Sequence, residues 1–160
     1  MAVFKCKMCG GTIEFQTGSE VVECDYCGTT QTIPKLQDEK RSSLYDRANH
    51  FRRNNEFDRA IPIYEQLLAE NPDDAEAYWS LALCQYGIEY VEDPVSHNRV
   101  PTVNRTRHTS IYDDINYKSA IRHASLRQKV IYEKEAGEID KIQKQILSIS
   151  QTEDPYDVFI

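Results

Sequence analysis

Four cysteines near the N-terminus constrain this chain more than any other feature. Cys6 and Cys9 form one Cys-x-x-Cys pair, Cys24 and Cys27 form a second, and fourteen residues separate the two. Two residues between cysteines let one tight turn aim both sulfurs at one metal, and a second such turn completes the tetrahedral thiolate set that a closed structural zinc prefers. Gly10 and Gly11 follow the first pair and Gly28 the second; lacking a Cβ, they let backbone amides approach the sulfurs. The spacing therefore predicts one structural zinc ion on Cys6, Cys9, Cys24 and Cys27, with a rubredoxin-like iron or disulfides as the alternatives for the same thiols. A thioredoxin-type pair would need a single Cys-x-x-Cys beside a βαβ pattern, which the sequence does not show. Met1 to Gly11 hold no apolar run suited to a signal peptide. The expectation is a reducing, cytoplasmic setting in which disulfides are rare.

Thr12 to Gln16 and Glu20 to Glu23 flank Thr17, Gly18 and Ser19 and are expected to pair as a short hairpin. With the two cysteine turns, residues 1–35 resemble a zinc ribbon. So small a unit buries little core, and its folding free energy should come largely from the metal, on the order of 10 kcal/mol. Chelation is then expected to unfold residues 3–33 and spare the remainder. Lys5, Lys7 and Lys35 face Glu14, Glu20, Glu23 and Asp25, a net charge of −1, and a four-thiolate zinc site adds about −2. Nucleic acid is not expected to bind at the ribbon, since such affinity rests on basic side chains.

The 160 residues carry 19 basic and 26 acidic side chains, a net charge of −7. No apolar run approaches the roughly 18 residues needed to span a bilayer, so no membrane partner is expected. Pro34 should close the last ribbon strand, and residues 36–41 read as a polar linker. From Ser42 the apolar period changes from two to nearly four. Leu44, Ala48 and Phe51 fall on one helical face, Asn54 and Asn55 break the helix, and Ala60, Tyr64 and Leu67 form the facing stripe of a second. Pro62 should fall in the first turn or so of that helix, where its missing N–H costs nothing, and Pro72 stops the chain.

This order of large, small and aromatic positions over Arg41 to Asp74 resembles the tetratricopeptide repeat, in which small residues let two helices cross closely. One repeat cannot bury its outer face, so the resemblance implies a second. A step of 34 residues puts its first helix at about Ala75, with Asp74 as N-cap, Tyr78, Trp79, Leu81 and Ala82 within, and Gly87 as C-cap. A non-helical insert over 88–112 follows, in which Ile88 to Glu92 and Arg99 to Val103 can pair as an edge hairpin with Pro101. The partner helix should resume near Asp114. Cys84 lacks a companion at ligand spacing and reads as a core thiol. Asp114 to Ser150 is either one helix or two broken near Gly137, and Ile139, Ile142, Ile146 and Ile149 form a stripe along it. That stripe is either a cap on the hairpins, which its shortness favours, or a homodimer seam.

From His97 to Val130 seven basic residues face two acidic ones, a charge of +5. A solvated face is one reading; an anion or partner site using Arg99, Arg105, Arg107 and Arg122 is the other. His97, His108 and His123 lack the spacing of a second metal site. No glycine-rich phosphate loop, nucleophile elbow or helical histidine pair is present, so this chain is not expected to be an enzyme. The paired acids Asp73 with Asp74 and Asp113 with Asp114 are expected to cap helices.

The last residues, Asp154, Pro155, Tyr156, Asp157, Val158, Phe159 and Ile160, resemble the opening strand of a Toll/interleukin-receptor (TIR) domain, which commonly reads Tyr-Asp-Val-Phe-Ile. Ribbon, divergent repeat hairpins and this strand in sequence resemble the N-terminal half of bacterial TIR-domain proteins. The resemblance implies a signalling or NAD-cleaving domain beyond Ile160, with none of its catalytic positions carried here. Residues 151–160 are then a linker and an orphan first strand.

The expected architecture is mainly α: a small β ribbon over 1–35, repeat-like helical hairpins over 42–150, and a long C-terminal helix. The expected function is a non-catalytic, zinc-binding interaction or regulatory module. It would bind a protein partner or self-associate through the hairpins, as the sensing or oligomerising arm of a TIR-domain protein. The alternative is nucleic-acid or nucleotide binding through residues 97–130.

Overall fold

The computed structural model describes residues 2–16, 18–34, 39–105 and 107–158, without the side chains of residue 2 and residues 150–158. Thr17 of the expected ribbon turn, residues 35–38 of the expected linker, and Phe159 and Ile160 lie outside the described residues.

The ribbon is two antiparallel hairpins. β1 (Ala2–Lys5) pairs with β2 (Thr12–Phe15), Lys5 opposite Thr12. β3 (Val21–Glu23) pairs with β4 (Thr30–Thr32), Glu23 opposite Thr30. The expected pairing of 12–16 with 20–23 does not form among the described residues. The cysteine turns are the reason. Gly10 N donates to the Cys6 carbonyl at 3.0 Å and Gly28 N to that of Cys24 at 2.8 Å, both glycines at positive φ. Each turn thus reverses the chain, and the strands flanking it become neighbours.

Two helical hairpins follow. α1 (Glu39–Arg53) starts inside the expected linker and ends before Asn55, which adopts φ 63°. α2 (Phe57–Glu70) packs on α1, with Ala48 and Ala60 fully buried where large side chains would hold the helices apart. Pro62 is the sixth residue of α2, deeper than expected, so the Asp58 carbonyl loses its usual donor four residues on. α3 (Ala75–Gln85) begins as expected, Asp74 Oδ1 accepting from the N–H groups of Glu76 and Ala77. Its C-cap is Tyr86 rather than the expected Gly87, which follows it at a φ of 60° that suits a residue without Cβ.

β5 (Ile88–Glu92) and β6 (Arg99–Val103) pair as expected, Tyr90 opposite Pro101. A short 3₁₀ turn at Ile111–Asp113 leads to α4 (Ile115–His123), whose cap Asp114 accepts from Asn116 and Tyr117. α4 closes the second hairpin against α3. Of the two readings left open, one helix or two broken near Gly137, neither holds as it stands: the break lies at Ala124 and Ser125, and α5 (Leu126–Val158) runs unbroken through Gly137. The reason is local: Ser125 Oγ accepts from Gln128 N, which starts a new helix there. Of the expected strand at Tyr156–Ile160, the described residues 156–158 are helical, as α5 continues to Val158. A helix satisfies its own backbone, whereas a lone strand has no neighbour to bond.

Ribbon and helices share one core. Phe4, Phe15 and Ile33 pack with Leu44, Tyr45, Tyr64, Leu67 and Leu81. A second cluster joins Trp79 and Tyr86 to Tyr117, Tyr132, Ala136 and Ile139. Each of these large apolar side chains contributes roughly 1.5–3 kcal/mol by leaving water. Ile139 is fully buried in that cluster, while Ile149 is 60% exposed, so the α5 stripe lies on the second hairpin only at its N-terminal end.

Candidate metal centre and the polar core beneath it

The two reversing turns bring the Sγ atoms of Cys6, Cys9, Cys24 and Cys27 within 4.8 Å of one another. Cys6 and Cys27 are separated by 3.6 Å and Cys9 and Cys24 by 3.8 Å. Sulfurs about 2.3 Å from a common tetrahedral ion lie about 3.8 Å apart, so the donor set fits one metal. Disulfides do not fit, because bonded sulfurs lie about 2 Å apart, and all four thiols are free. Among the described residues no other group of three or more Cys, His, Asp or Glu side chains converges in this way.

N–H donors aim at two of the four sulfurs and favour their charged form. Met8 N and Cys9 N donate to Cys6 Sγ at 3.3 and 3.4 Å, the Gln31 amide donates to it at 3.1 Å, and Gly11 N donates to Cys9 Sγ at 3.4 Å. Burial raises the Cys6 thiol, but the donors Cys9, Gln31 and Met8 outweigh it and bring it down to about 7. Burial pushes Cys9 up to about 12, assisted by the nearby Cys6 charge and only partly offset by Gly11 N–H.

The first turn is bolted to the helices. Arg53 of α1 donates to the Cys6 carbonyl at 3.1 Å and Arg52 to that of Lys7 at 3.3 Å. Lys7 N donates to Gln31 Oε1 at 3.0 Å. Lys7 Nζ reaches Glu76 Oε2 at 2.8 Å, while Thr32 and Tyr132 donate to Glu76 Oε1 at 2.6 and 2.7 Å. One carboxylate of α3 thus ties together ribbon, repeat and α5. Beside it Asp74 takes donors from Arg41 and Tyr45 in addition to capping α3. Sequence reading assigns Lys7 to a solvated charge tally and Glu76 to nothing. Neither has a local signature, because their pairing depends on a separation of 69 residues.

The four basic residues offered, beside the reading of a solvated face, as an anion or partner site lie on different neighbours. Arg105 pairs with Asp58 at 2.9 Å and covers the Phe57 ring; Arg107 covers the Tyr86 ring. Arg122 is exposed on α4, and Arg99 lines a separate cleft beside β6. His123 faces Asp73 at 3.5 Å and stacks on Tyr78. Cys84 is buried, its thiol pushed up to about 12 by burial, as befits a core residue.

That cleft, of about 590 Å³, lies between the second cysteine turn, the β5–β6 hairpin and α5. Glu135 of α5 forms part of its lining and is 8% exposed, its carboxyl pushed up to about 7, chiefly by burial. Sequence periodicity places Glu135 on a charged helix and gives no sign that the ribbon folds over it.

No helix among the described residues is long and apolar enough to cross a membrane. No curated protein and no solved structure gives a significant match to the chain. Residues 45–88, from within α1 to the first residue of β5, match the tetratricopeptide repeat family.

Proposed function

We propose that this chain is a non-catalytic interaction and regulatory arm, stapled by one structural zinc ion. The repeat match over 45–88 carries the reading, because tetratricopeptide hairpins generally serve protein–protein recognition. The thiolate tetrad supports zinc, which takes four sulfurs in this geometry without redox chemistry. Its four protein ligands leave no open position for a substrate, which accords with a structural rather than catalytic role. When bound, the ion supplies charge and cross-linking only; Gln31 and the turn amides hold its ligands in place.

The arm would sense a partner, or hold protomers together, on behalf of a TIR-type signalling or NAD-cleaving domain in a cytoplasmic, bacterial protein. The likeness of Tyr156 to Ile160 to the first TIR strand supports this assignment. Metal analysis of purified protein should give one zinc per chain, and iron in its place would overturn the zinc assignment. For the arm itself, a chain extended past Ile160 is compared with and without residues 1–150, measuring mass in solution and NAD turnover. Identical assembly and turnover in both would defeat the regulatory reading.

A further inference from the structure

We propose that the cleft between the second cysteine turn, the β5–β6 hairpin and α5 binds a mononucleotide whose base presents adjacent N–H donors, guanine being the type. It goes beyond the interaction reading and relocates nucleotide binding from the basic segment as a whole to one cleft.

The floor asks for hydrogen bonds. Glu135 Oε2 and the Tyr90 hydroxyl are buried polar atoms with no hydrogen-bond partner among the described residues, and both residues line the cleft. Leaving such groups unpaired is costly, so a ligand that satisfies the Glu135 carboxylate recovers part of that cost. A carboxylate accepts two parallel N–H bonds at once, which the N1–H and N2 amino group of guanine offer on one edge. Glu135 Oε2 is shut from solvent, and rotation about the broad terminal torsion of the side chain would turn the carboxylate toward a bound base.

The walls and rim fit the rest of such a molecule. Val100 and Pro101 of β6 and Ile131 and Ile142 of α5 are among the lining residues and offer apolar surface to a planar ring. Arg99, Lys134 and Lys141 stand at the rim, and among the described residues none has an ion-pair partner, although the chain is acidic overall. Glu138 is the one acidic rim residue. A carboxylate floor disfavours a ligand that is anionic throughout, and a cationic rim disfavours one that is cationic throughout. The volume of about 590 Å³ lies within the roughly 300–1,000 Å³ of small-molecule sites.

Isothermal titration of the full metal-loaded chain with GMP at pH 8, above the raised range in which Glu135 holds a proton, tests the assignment, with guanosine, AMP and inorganic phosphate as companions. GMP should bind, guanosine at least tenfold more weakly, and Glu135→Gln should weaken GMP at least tenfold while leaving the circular dichroism spectrum unchanged. Should Glu135→Gln fold poorly, Val100→Trp fills the cleft with the floor intact and should abolish binding. Lys134→Ala with Lys141→Ala should reduce the salt dependence of GMP binding without affecting guanosine. The proposal is overturned by an absence of GMP binding at millimolar concentration, by AMP binding equal to GMP, by phosphate competing as well as GMP, or by Val100→Trp binding normally. Displacement of GMP by an arginine-containing acidic peptide at equal affinity would also overturn it in favour of a peptide site.

Discussion

Lys7, lying in the turn between two metal-facing cysteines, places its Nζ 2.8 Å from Oε2 of Glu76 in α3, and the two side chains are only 2% and 1% exposed. A buried ion pair is weak evidence of net stability, because desolvating both charges offsets much of their attraction. Removing one partner is another matter. Lys7→Met leaves the Glu76 carboxylate with only the Thr32 and Tyr132 hydroxyls, and should cost about 3–5 kcal/mol. Lys7→Met with Glu76→Gln should recover much of that loss. Urea unfolding of wild type, both single variants and the double variant decides the matter, and losses that simply add would show that the pair is not coupled.

Metal removal should reach the helices. A ribbon with its own small core would unfold alone, which is the expectation from its sequence. Instead Phe4, Phe15 and Ile33 share the core of α1 and α2, and Arg52 and Arg53 donate to carbonyls of the first cysteine turn. Freeing that turn exposes apolar surface on the repeat and strips buried cations of their acceptors. Chelation should therefore lower the helical thermal midpoint by several degrees and broaden the transition. An unchanged helical transition monitored at 222 nm would restore the picture of two independent units.

Two glycines should respond in opposite directions. A Cβ at Gly87 would lie 2.9 Å from the backbone nitrogen of Arg105, at a residue whose φ is +60°. Gly87→Ala should destabilise by about 1–3 kcal/mol, since a left-handed turn and a backbone clash coincide. At Gly137 the nearest atom is the Tyr112 hydroxyl at 3.1 Å, on a side chain that is 43% exposed and able to turn aside. Gly137→Ala should stabilise α5 by up to about 1 kcal/mol, the helix propensity difference. Thermal midpoints moving in the same direction would show that one of these backbone assignments is mistaken.

What could be read from the sequence was what local chemistry decides. Cysteine spacing located the tetrad, apolar period located α1 and α2, the 34-residue repeat step located α3, and Asp74 and Asp114 marked helix starts through their side-chain oxygens. The β5–β6 register was legible because Asp93, Pro94 and Asn98 set the turn between two β-type runs. Where the reading failed, a distant or competing contact decided. The ribbon pairing followed the knuckles rather than the polar turn between them. The helix break went to Ser125, whose capping bonds with Gln128 outweighed the flexibility of Gly137. Glu76 and Glu135 look like ordinary surface acids along their helices until the ribbon closes over them.

Glu135 also makes stability depend on pH in a direction unusual for a carboxyl. Burial, set against the nearby Lys7 charge, raises it from 4.5 to about 7. Between those values the folded chain holds a proton that the unfolded chain has released. Stability therefore falls as pH rises from about 4.5 to 7, and the full loss is present above 7. A shift of this size corresponds to up to about 3 kcal/mol, at 1.36 kcal/mol per unit. Acid also releases metal from thiolates, so the informative quantity is the difference between wild type and Glu135→Gln. The variant keeps a neutral amide at the site at every pH. Its stability advantage over wild type should grow as pH is raised from 5.5 to 7.5 and level off thereafter, measured by guanidinium unfolding at fixed zinc. A difference that stays constant across that range would mean that Glu135 remains ionised in the folded protein.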